Sequence, residues 1–447
     1  MPQRSELVES FMSRVRDRNS GEEEFLQAVE DVATDVLTVE KNDPDFAQAR
    51  VLERLTIPDR MISFRVTWED DAGEVQLNTG YRVQMSNAIG PYKGGIRFHP
   101  TVTPSVLKFL AFEQVFKNSL TGLPLGGGKG GADFDPTGRS NREIMRFCQA
   151  FMSELSRHIG PDQDVPAGDI NVGTREIGYL FGAYKRSQSQ FNGALTGKGL
   201  SFGGSELRTE ATGYGVIYFL QSMLEAAGQD IVDKRIAISG MGNVALHAAE
   251  KAIRARAKVV SLSNSSGTLI AEDGLSEDAL TWLRAALANG DDLSGPPPEH
   301  GLSFEPDRKP WGLDAEIALP CATQNEFDGM DAKAALDAGL AFLAEGANMP
   351  LTSEAMDHIA SSDVIYAPGK ASNAGGVAVS GIEMSQNAHR RSLSASEVDD
   401  ALKTIMRNIH DLSAEEGRRD GSVNYRRGAN IAGYRKVARA ISAYGVV

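Results

Sequence analysis

The sequence predicts an α/β protein of two successive domains, on three observations. The chain has 447 residues, and single hydrophobic cores stop growing near ~250–300 residues, so more than one is expected. Strand and helix patterns alternate through the second half, as in a parallel sheet. There, too, an apolar strand runs through a glycine turn into a helix, in "RIAISGMGNVALHAAEKAI". The expected divisions are residues 1–205, residues 206–380, and a helical segment, 381–447, that returns to the first domain.

In the first half, "MISFRVTW" and "EVQLNTGYRVQMS" read as strands around an "EDDAG" turn. "SNREIMRFCQAFMSELSRHIG" reads as a helix with Ser140 and Glu143 as a capping box and Gly160 closing it. Between them, "SLTGLPLGGGKGGADFD" sets Lys129 among Gly126, Gly127, Gly128, Gly130 and Gly131. The phosphate-loop spacing fails, since it needs Gly six residues before the lysine and Ser or Thr directly after it. Those places hold Leu123 and Gly130. Two readings stay open: a flexible turn, or a lysine presented to a small anionic substrate.

In the second half, Gly240-Met241-Gly242-Asn243-Val244-Ala245 is the GxGxxA form of a dinucleotide fingerprint. Gly240 suits the tight turn, Gly242 the close approach of pyrophosphate, and Ala245 the packing of helix on strand. The phosphates are expected on amides at the helix N-terminus. A second strand, "AKVVSLS", follows, and residues 288–301 read as a turn-rich surface loop. Near the C-terminus, Ser394 and Glu397 cap a helix with Val398, Leu402, Ile405, Met406, Ile409 and Leu412 at helical spacing.

Composition narrows the partners. A net charge of −14 argues against general binding to nucleic acid or membrane surfaces, while leaving room for a local cationic pocket. No apolar span reaches the ~20 residues needed to cross a bilayer. "MPQRSELVES" has no apolar h-region, so the expected compartment is the cytoplasm. Cys148 and Cys321 suggest no disulfide framework, and the histidines show no metal-ligand spacing. Cys321 has no evident partner base and reads as packing; His99 earns no catalytic role.

A dinucleotide domain beside a lysine in a glycine setting suggests hydride transfer on an anionic substrate. Lys93, Lys117 and Lys129 all lie in glycine or apolar settings. If they converge, two can bind carboxylates as point charges. The third, crowded by like charges and screened from water, would have a lowered pKa. Asp169, between small residues in "DVPAGDINVG", is a candidate proton carrier.

Six stretches, "GYRVQMSNAIGPYKGGIRFHP", "LPLGGGKGGADFDP", "DVPAGDINVG", "RTEATGYG", "ALPCATQNE" and "ASNAGGVAVSGIEMSQN", resemble the hexameric glutamate dehydrogenases of the Glu/Leu/Phe/Val dehydrogenase family. The resemblance runs from about residue 20 to the C-terminus. It implies a substrate-binding and oligomerisation domain, a Rossmann-like coenzyme domain and a homohexamer. The implied reaction is reductive amination of 2-oxoglutarate by ammonia and NADPH to L-glutamate. By position in those motifs, Lys117 and Gln114 would hold the α-carboxylate, and Lys93 with Ser380 the distal one. Lys129 would polarise the carbonyl or activate water, and Asp169 would shuttle protons in a closing cleft. Arg208 and Thr212 would face the nicotinamide amide; Ala322, Thr323, Asn348 and Asn373 would contact its ribose or hold the surroundings.

Two alternatives stand beside this one. A dehydrogenase of an apolar amino acid would keep Lys117, Lys129 and Asp169 but has no use for Lys93 and Ser380. A non-catalytic nucleotide-binding regulator would be free to lose Lys129 or Asp169, and neither is lost. The coenzyme expectation is NADP(H), with NAD(H) as a weaker or alternative partner. NAD-selective folds place an acid about 20 residues past the glycines, whereas Ser263, Asn264 and Ser265 stand there. Against it, Thr137 and Leu287 occupy places where NADP-linked relatives often have lysine.

Overall fold

The hairpin around the "EDDAG" turn forms as expected: β1 (Arg60–Glu69) pairs antiparallel with β2 (Val75–Ser86). The structure, a computed structural model, describes residues 2–419 and 421–446. These strands begin a five-stranded sheet, ordered β1-β2-β4-β3-β5, with β3 (Tyr92–Phe98), β4 (Gly127–Ala132) and β5 (Asp164–Gly168). Strand β4 is parallel to β3 and antiparallel to β2.

The glycine stretch around Lys129 is therefore no turn. It is the middle strand of the sheet, buried along its whole length. Glycine is a poor strand former by itself, so the reason lies in a neighbour. A Cβ at Gly127 would sit 2.8 Å from the backbone nitrogen of Val115, in the helix Pro104–Leu120. Bare backbone lets that helix close onto the strand.

Period-two alternation divides the sheet's chemistry. One face packs Val66, Trp68, Ile96, Phe98 and Ala132 against Ile144, Phe147, Phe151 and Leu180. Each large apolar side chain buried there contributes about 1.5–3 kcal/mol relative to exposure. The opposite face carries the polar residues of the candidate site. The helix Asn141–Leu155 starts at the expected box, with Glu143 N donating to Ser140 Oγ at 3.1 Å and Ser140 N to Glu143 Oε2 at 2.9 Å. It ends five residues before Gly160, which instead bridges to Asp164 at the entry to β5.

The second sheet has seven strands, ordered β12-β11-β10-β6-β7-β8-β9. They are β6 (Arg235–Ile238), β7 (Lys258–Asn264), β8 (Gly267–Ile270), β9 (Ser303–Pro306), β10 (Ile317–Leu319), β11 (Phe342–Ala344) and β12 (Ile365–Ala367). Strands β6, β7, β10, β11 and β12 are parallel. The expected strand–helix alternation breaks after β7, where Ser265 and Ser266 turn the chain into antiparallel β8. Because β7 and β10 flank β6, the strand order reverses at β6, the place where open α/β sheets bind ligands.

The chain divides into two units. The first holds residues up to 208 with 377–398 and 430 onward; the second holds 209–376 with 399–429. The C-terminal segment, expected to return whole from residue 381, thus splits. Its helix Ala395–Gly417 opens with the expected cap, Glu397 N donating to Ser394 Oγ at 3.3 Å. From Asp399 the chain belongs to the second unit, for a reason visible in side chains: Asp399 accepts from Tyr218 Oη at 2.6 Å and Lys251 Nζ at 3.0 Å. Leu412, read as part of the apolar stripe, is 43% exposed.

Candidate active site

In the first unit, the sheet registers place Lys93 and Arg97 on β3 and Lys129 on β4 on the face that meets the helix Pro104–Leu120. Asp169 follows the end of β5. Its Oδ1 lies 3.0 Å from Lys129 Nζ, and its Oδ2 accepts from Arg97 Nε at 2.7 Å. Burial alone would raise the Asp169 pKa, but the charges of Lys129 and Arg97 outweigh it and hold the carboxyl well below its ordinary range. Burial lowers Lys129, and Arg97 and Arg82 press it further down while Asp169 opposes them.

The helix brings Gln114 and Lys117 to the same face, one turn apart. Thr103 caps it, accepting from Val106 N at 3.3 Å, with Pro104 at the first position. Burial, then the charge of Lys129, lowers Lys117 to about 8. Gln114 donates to Asn118 Oδ1 at 2.6 Å, and Asn118 donates to the Lys93 carbonyl at 3.0 Å, tying helix to strand.

Lys93 forms a second cationic group. It is buried, its Nζ donates to Thr196 Oγ1 at 2.7 Å, and burial with the charge of Arg208 pushes it well down. Ser380, also buried, lies one helical turn before Glu383. Glu383 accepts from Gly197 N at 2.8 Å and from Lys198 Nζ at 2.7 Å, so the helix Gly375–His389 grips the loop that carries Thr196. Arg208, expected at the nicotinamide, belongs to the first unit, where its charge bears on Lys93 and Lys117. Its Nε is buried without a hydrogen-bond partner among the described residues, a donor suited to an acceptor on a ligand. Sequence reasoning missed Thr196, Arg97, Lys198 and Glu383. Only Arg97 left a local signal, two strand periods after Lys93.

In the second unit, β6 turns at Gly240, whose φ of 88° lies in the region that favours glycine. A Cβ there would also lie 3.1 Å from the Cys321 carbonyl. Gly242 and Asn243 are exposed, and no side chain caps the helix Asn243–Arg254. Its first amides are therefore available to phosphate oxygens, while Ala245 is fully buried against the sheet. These features fit a dinucleotide at the carboxyl ends of β6 and β10.

The flanking residues divide into rim and support. Asn264, Ala322, Thr323 and Asn348 are exposed, and Thr212 is half-buried in the first turn of the helix Ala211–Ala226. Ser263, expected near the ribose, turns inward instead: it is buried, and its Oγ accepts from Gly240 N at 3.4 Å. Asn373 is also support, its amide donating to the carbonyls of Gly346 and Ala347 and to Asn348 Oδ1. Glu326, which sequence reasoning missed, accepts from Ala322 N at 2.8 Å and Thr323 N at 3.3 Å and so shapes the loop after β10. Burial pushes the Cys321 thiol up, in keeping with a packing role. Among the described residues no His, Cys, Asp or Glu group could hold a metal, and no helix is long and apolar enough to cross a membrane.

Comparison with known proteins joins the two halves. The model for glutamate/leucine/phenylalanine/valine dehydrogenase matches residues 203–445, and that for the Glu/Leu/Phe/Val dehydrogenase dimerisation domain matches residues 58–186. Over 443 residues the chain is 53% identical to the NAD-specific glutamate dehydrogenase of Bacteroides fragilis, covering 98% of this chain and 100% of that protein. Over 445 residues it is 51% identical to the NADP-specific glutamate dehydrogenase of Psychrobacter sp., covering 98% and 99%. A solved glutamate dehydrogenase structure aligns with a TM-score of 0.96 at 47% identity, over 99% of this chain and 100% of that one. With both family models matched in chain order and such identity over nearly its whole length, the chain belongs to the glutamate/leucine/phenylalanine/valine dehydrogenase family.

Proposed function

We propose that the protein catalyses the reversible reductive amination of 2-oxoglutarate by ammonia and NADPH to L-glutamate. The observation that carries this reading is the pair of cationic groups in the first unit, Lys117 with Lys129 and Asp169, and Lys93 with Thr196. A dicarboxylate has an anionic end for each. An apolar amino acid has one, and would leave the Lys93 charge buried without an anion, which is costly. The relatives named as glutamate dehydrogenases support the same substrate.

In this reading Lys117 and Gln114 hold the α-carboxylate, and Lys93 and Ser380 the distal carboxylate. Ammonia attacks the carbonyl carbon, and Asp169 takes the proton that the new C–N bond forces off nitrogen. Lys129, whose lowered pKa makes its proton easy to release, gives one proton to the carbonyl oxygen to form a hydroxyl. Recharged from Asp169, it gives a second, so that water leaves and the protonated imine remains. The 3.0 Å contact between Asp169 and Lys129 lets the proton taken from nitrogen return to the lysine. The nicotinamide coenzyme, when bound, supplies the hydride that reduces the resulting imine, and accepts it in reverse. Turnover requires these charges to be screened from water, which strengthens each interaction.

NADP(H) is the preferred coenzyme. With Ser263 turned inward, Asn264 and Ser265 form the rim, and no acid there repels a 2′-phosphate. NAD(H) is the alternative, and relatives of similar identity carry either name. The reading includes a homohexamer acting in the cytoplasm. Strand β1 is a sheet edge, and Met61, Val75 and Leu77 expose apolar surface on it and on β2, which suits a second copy of this chain. Light scattering that gives a monomer mass rejects that assembly. The decisive assay is oxidation of NADPH and NADH by the purified protein with 2-oxoglutarate, with and without ammonium. Turnover that depends on both substrates is expected, and its absence overturns the proposal.

A further inference from the structure

We infer that Arg97 is a positioning residue that holds the Asp169 carboxylate in place beside Lys129, an inference that rests on the reductive-amination reading. The two carboxylate oxygens have separate cations. Arg97 Nε donates to Oδ2 at 2.7 Å, and Lys129 Nζ meets Oδ1 at 3.0 Å. With both oxygens engaged, the carboxylate cannot rotate away from the lysine without breaking a charge-assisted hydrogen bond.

Strand β3 grips the loop behind Asp169 as well. Phe98 N donates to the Ile170 carbonyl at 3.1 Å, and Asn171 Nδ2 donates to the Phe98 carbonyl at 3.0 Å. Asn171 is held at a φ of 59°, a left-handed conformation that asparagine tolerates. Arg97 therefore continues, through its side chain, a clamp that the neighbouring backbone begins.

The charged groups facing Asp169 are Lys129 from β4, Arg97 from β3 and Lys117 from the helix Pro104–Leu120. Arg97 acts on both Asp169 and Lys129 with one sign. Its charge lowers the Asp169 pKa and also that of Lys129. Asp169 titrates below the ordinary carboxylate range, so the change that can be read is at Lys129: removing the charge should move it upward and shift the alkaline limb of the pH–rate profile to higher pH. A side chain that merely filled space would cost activity without moving that limb.

The test compares Arg97→Gln, which keeps a donor without the charge, with Arg97→Lys, which keeps the charge without the fixed fork. Rates with NADPH, 2-oxoglutarate and ammonium are measured from about pH 6 to 10, the span in which a lowered lysine titrates. Arg97→Gln is expected to lose about 10- to 100-fold in kcat with KM for 2-oxoglutarate within about threefold, as for a misplaced catalytic group. Its alkaline limb should move up. Arg97→Lys should return that limb to its parental position and recover much of kcat. Parental kcat in Arg97→Gln, or a loss with the alkaline limb unmoved, overturns the inference. Should Arg97→Gln fail to fold, Arg97→Lys decides: parental kcat overturns the inference, and a severalfold loss with the alkaline limb unmoved supports it. Lys129→Ala serves as the control. If it is fully active the reductive-amination reading falls; if it is inactive while Arg97→Gln is parental, only the role of Arg97 falls.

Discussion

The first unit builds its site from buried charged side chains, and the second builds its site mainly from backbone. Lys93, Lys117 and Lys129 are each held below their ordinary pKa by burial. The dinucleotide turn instead offers main-chain amides, a glycine at positive φ and exposed polar residues at the rim. The difference teaches where energy is stored. A desolvated cation gains much from a matching anion and loses as much when the anion or its neighbour changes. An amide at a helix end is present whatever the side chain, so substitutions at the rim adjust preference more than they abolish binding.

The largest effects should therefore fall in the first unit. Lys129→Ala and Asp169→Asn are expected to fold and to lose roughly a hundred- to ten-thousand-fold in kcat, the usual contribution of general acid–base groups. Steady-state assays on variants with parental circular dichroism check this. Activity within about twofold of the parent would remove that residue from the mechanism.

Next comes the distal group. Lys93→Leu combined with Ser380→Val should cripple turnover of glutamate and relatively improve norvaline or leucine. An unpaired carboxylate would then bear its desolvation cost with no cation to offset it. The ratio of kcat/KM for glutamate over norvaline reads this directly. An unchanged ratio places selectivity elsewhere.

A smaller effect follows from Lys117, lowered to about 8. Only its protonated form pairs with a carboxylate. As pH rises through about 8 in the free enzyme, kcat/KM for 2-oxoglutarate should fall, approaching tenfold per unit for a single group. Lys117→Arg, which stays charged, should lose that limb. The same shift has a stability consequence of opposite sense. Between about 8 and the ordinary 10.5 the folded state binds fewer protons at Lys117 than the unfolded chain. That group's contribution to stability therefore grows as pH rises through the window.

What could be read from the sequence followed the range of the interaction. The capping boxes at Ser140 and Ser394 and the turn at Gly240 are local, and each forms where its pattern says. Lys129 was legible as an unusual lysine, yet its strand was not. The glycines there answer to Val115 in a helix rather than to their own neighbours. Thr196, Arg97 and Glu383 were missed because their partners lie 103, 72 and 185 residues away. Ser263 and Asn264 show the limit at one residue's scale. Adjacent on a strand, they point to opposite sides, and the fingerprint spacing does not say which faces the ribose.

The smallest expected effect is at that rim. Asn264 is exposed at the end of β7, and its Oδ1 accepts from Ser266 N at 2.8 Å. With the oxygen so engaged, its amide nitrogen remains a donor suited to a phosphate oxygen. Asn264→Asp keeps the turn, because a carboxylate oxygen can accept the same Ser266 hydrogen bond, but it replaces that donor with negative charge. Repulsion of a 2′-phosphate then lowers the ratio of kcat/KM for NADPH over NADH, by severalfold for a charge screened by solvent. NADH turnover should change little, since a ribose hydroxyl can donate to the new carboxylate. The ratio is measured at saturating 2-oxoglutarate and ammonium, at low and high salt. It should exceed one in the parent, and its drop in the variant should shrink as salt rises. A parental ratio below one overturns the NADP(H) preference. An unchanged ratio in Asn264→Asp means that the residue does not face the 2′ position.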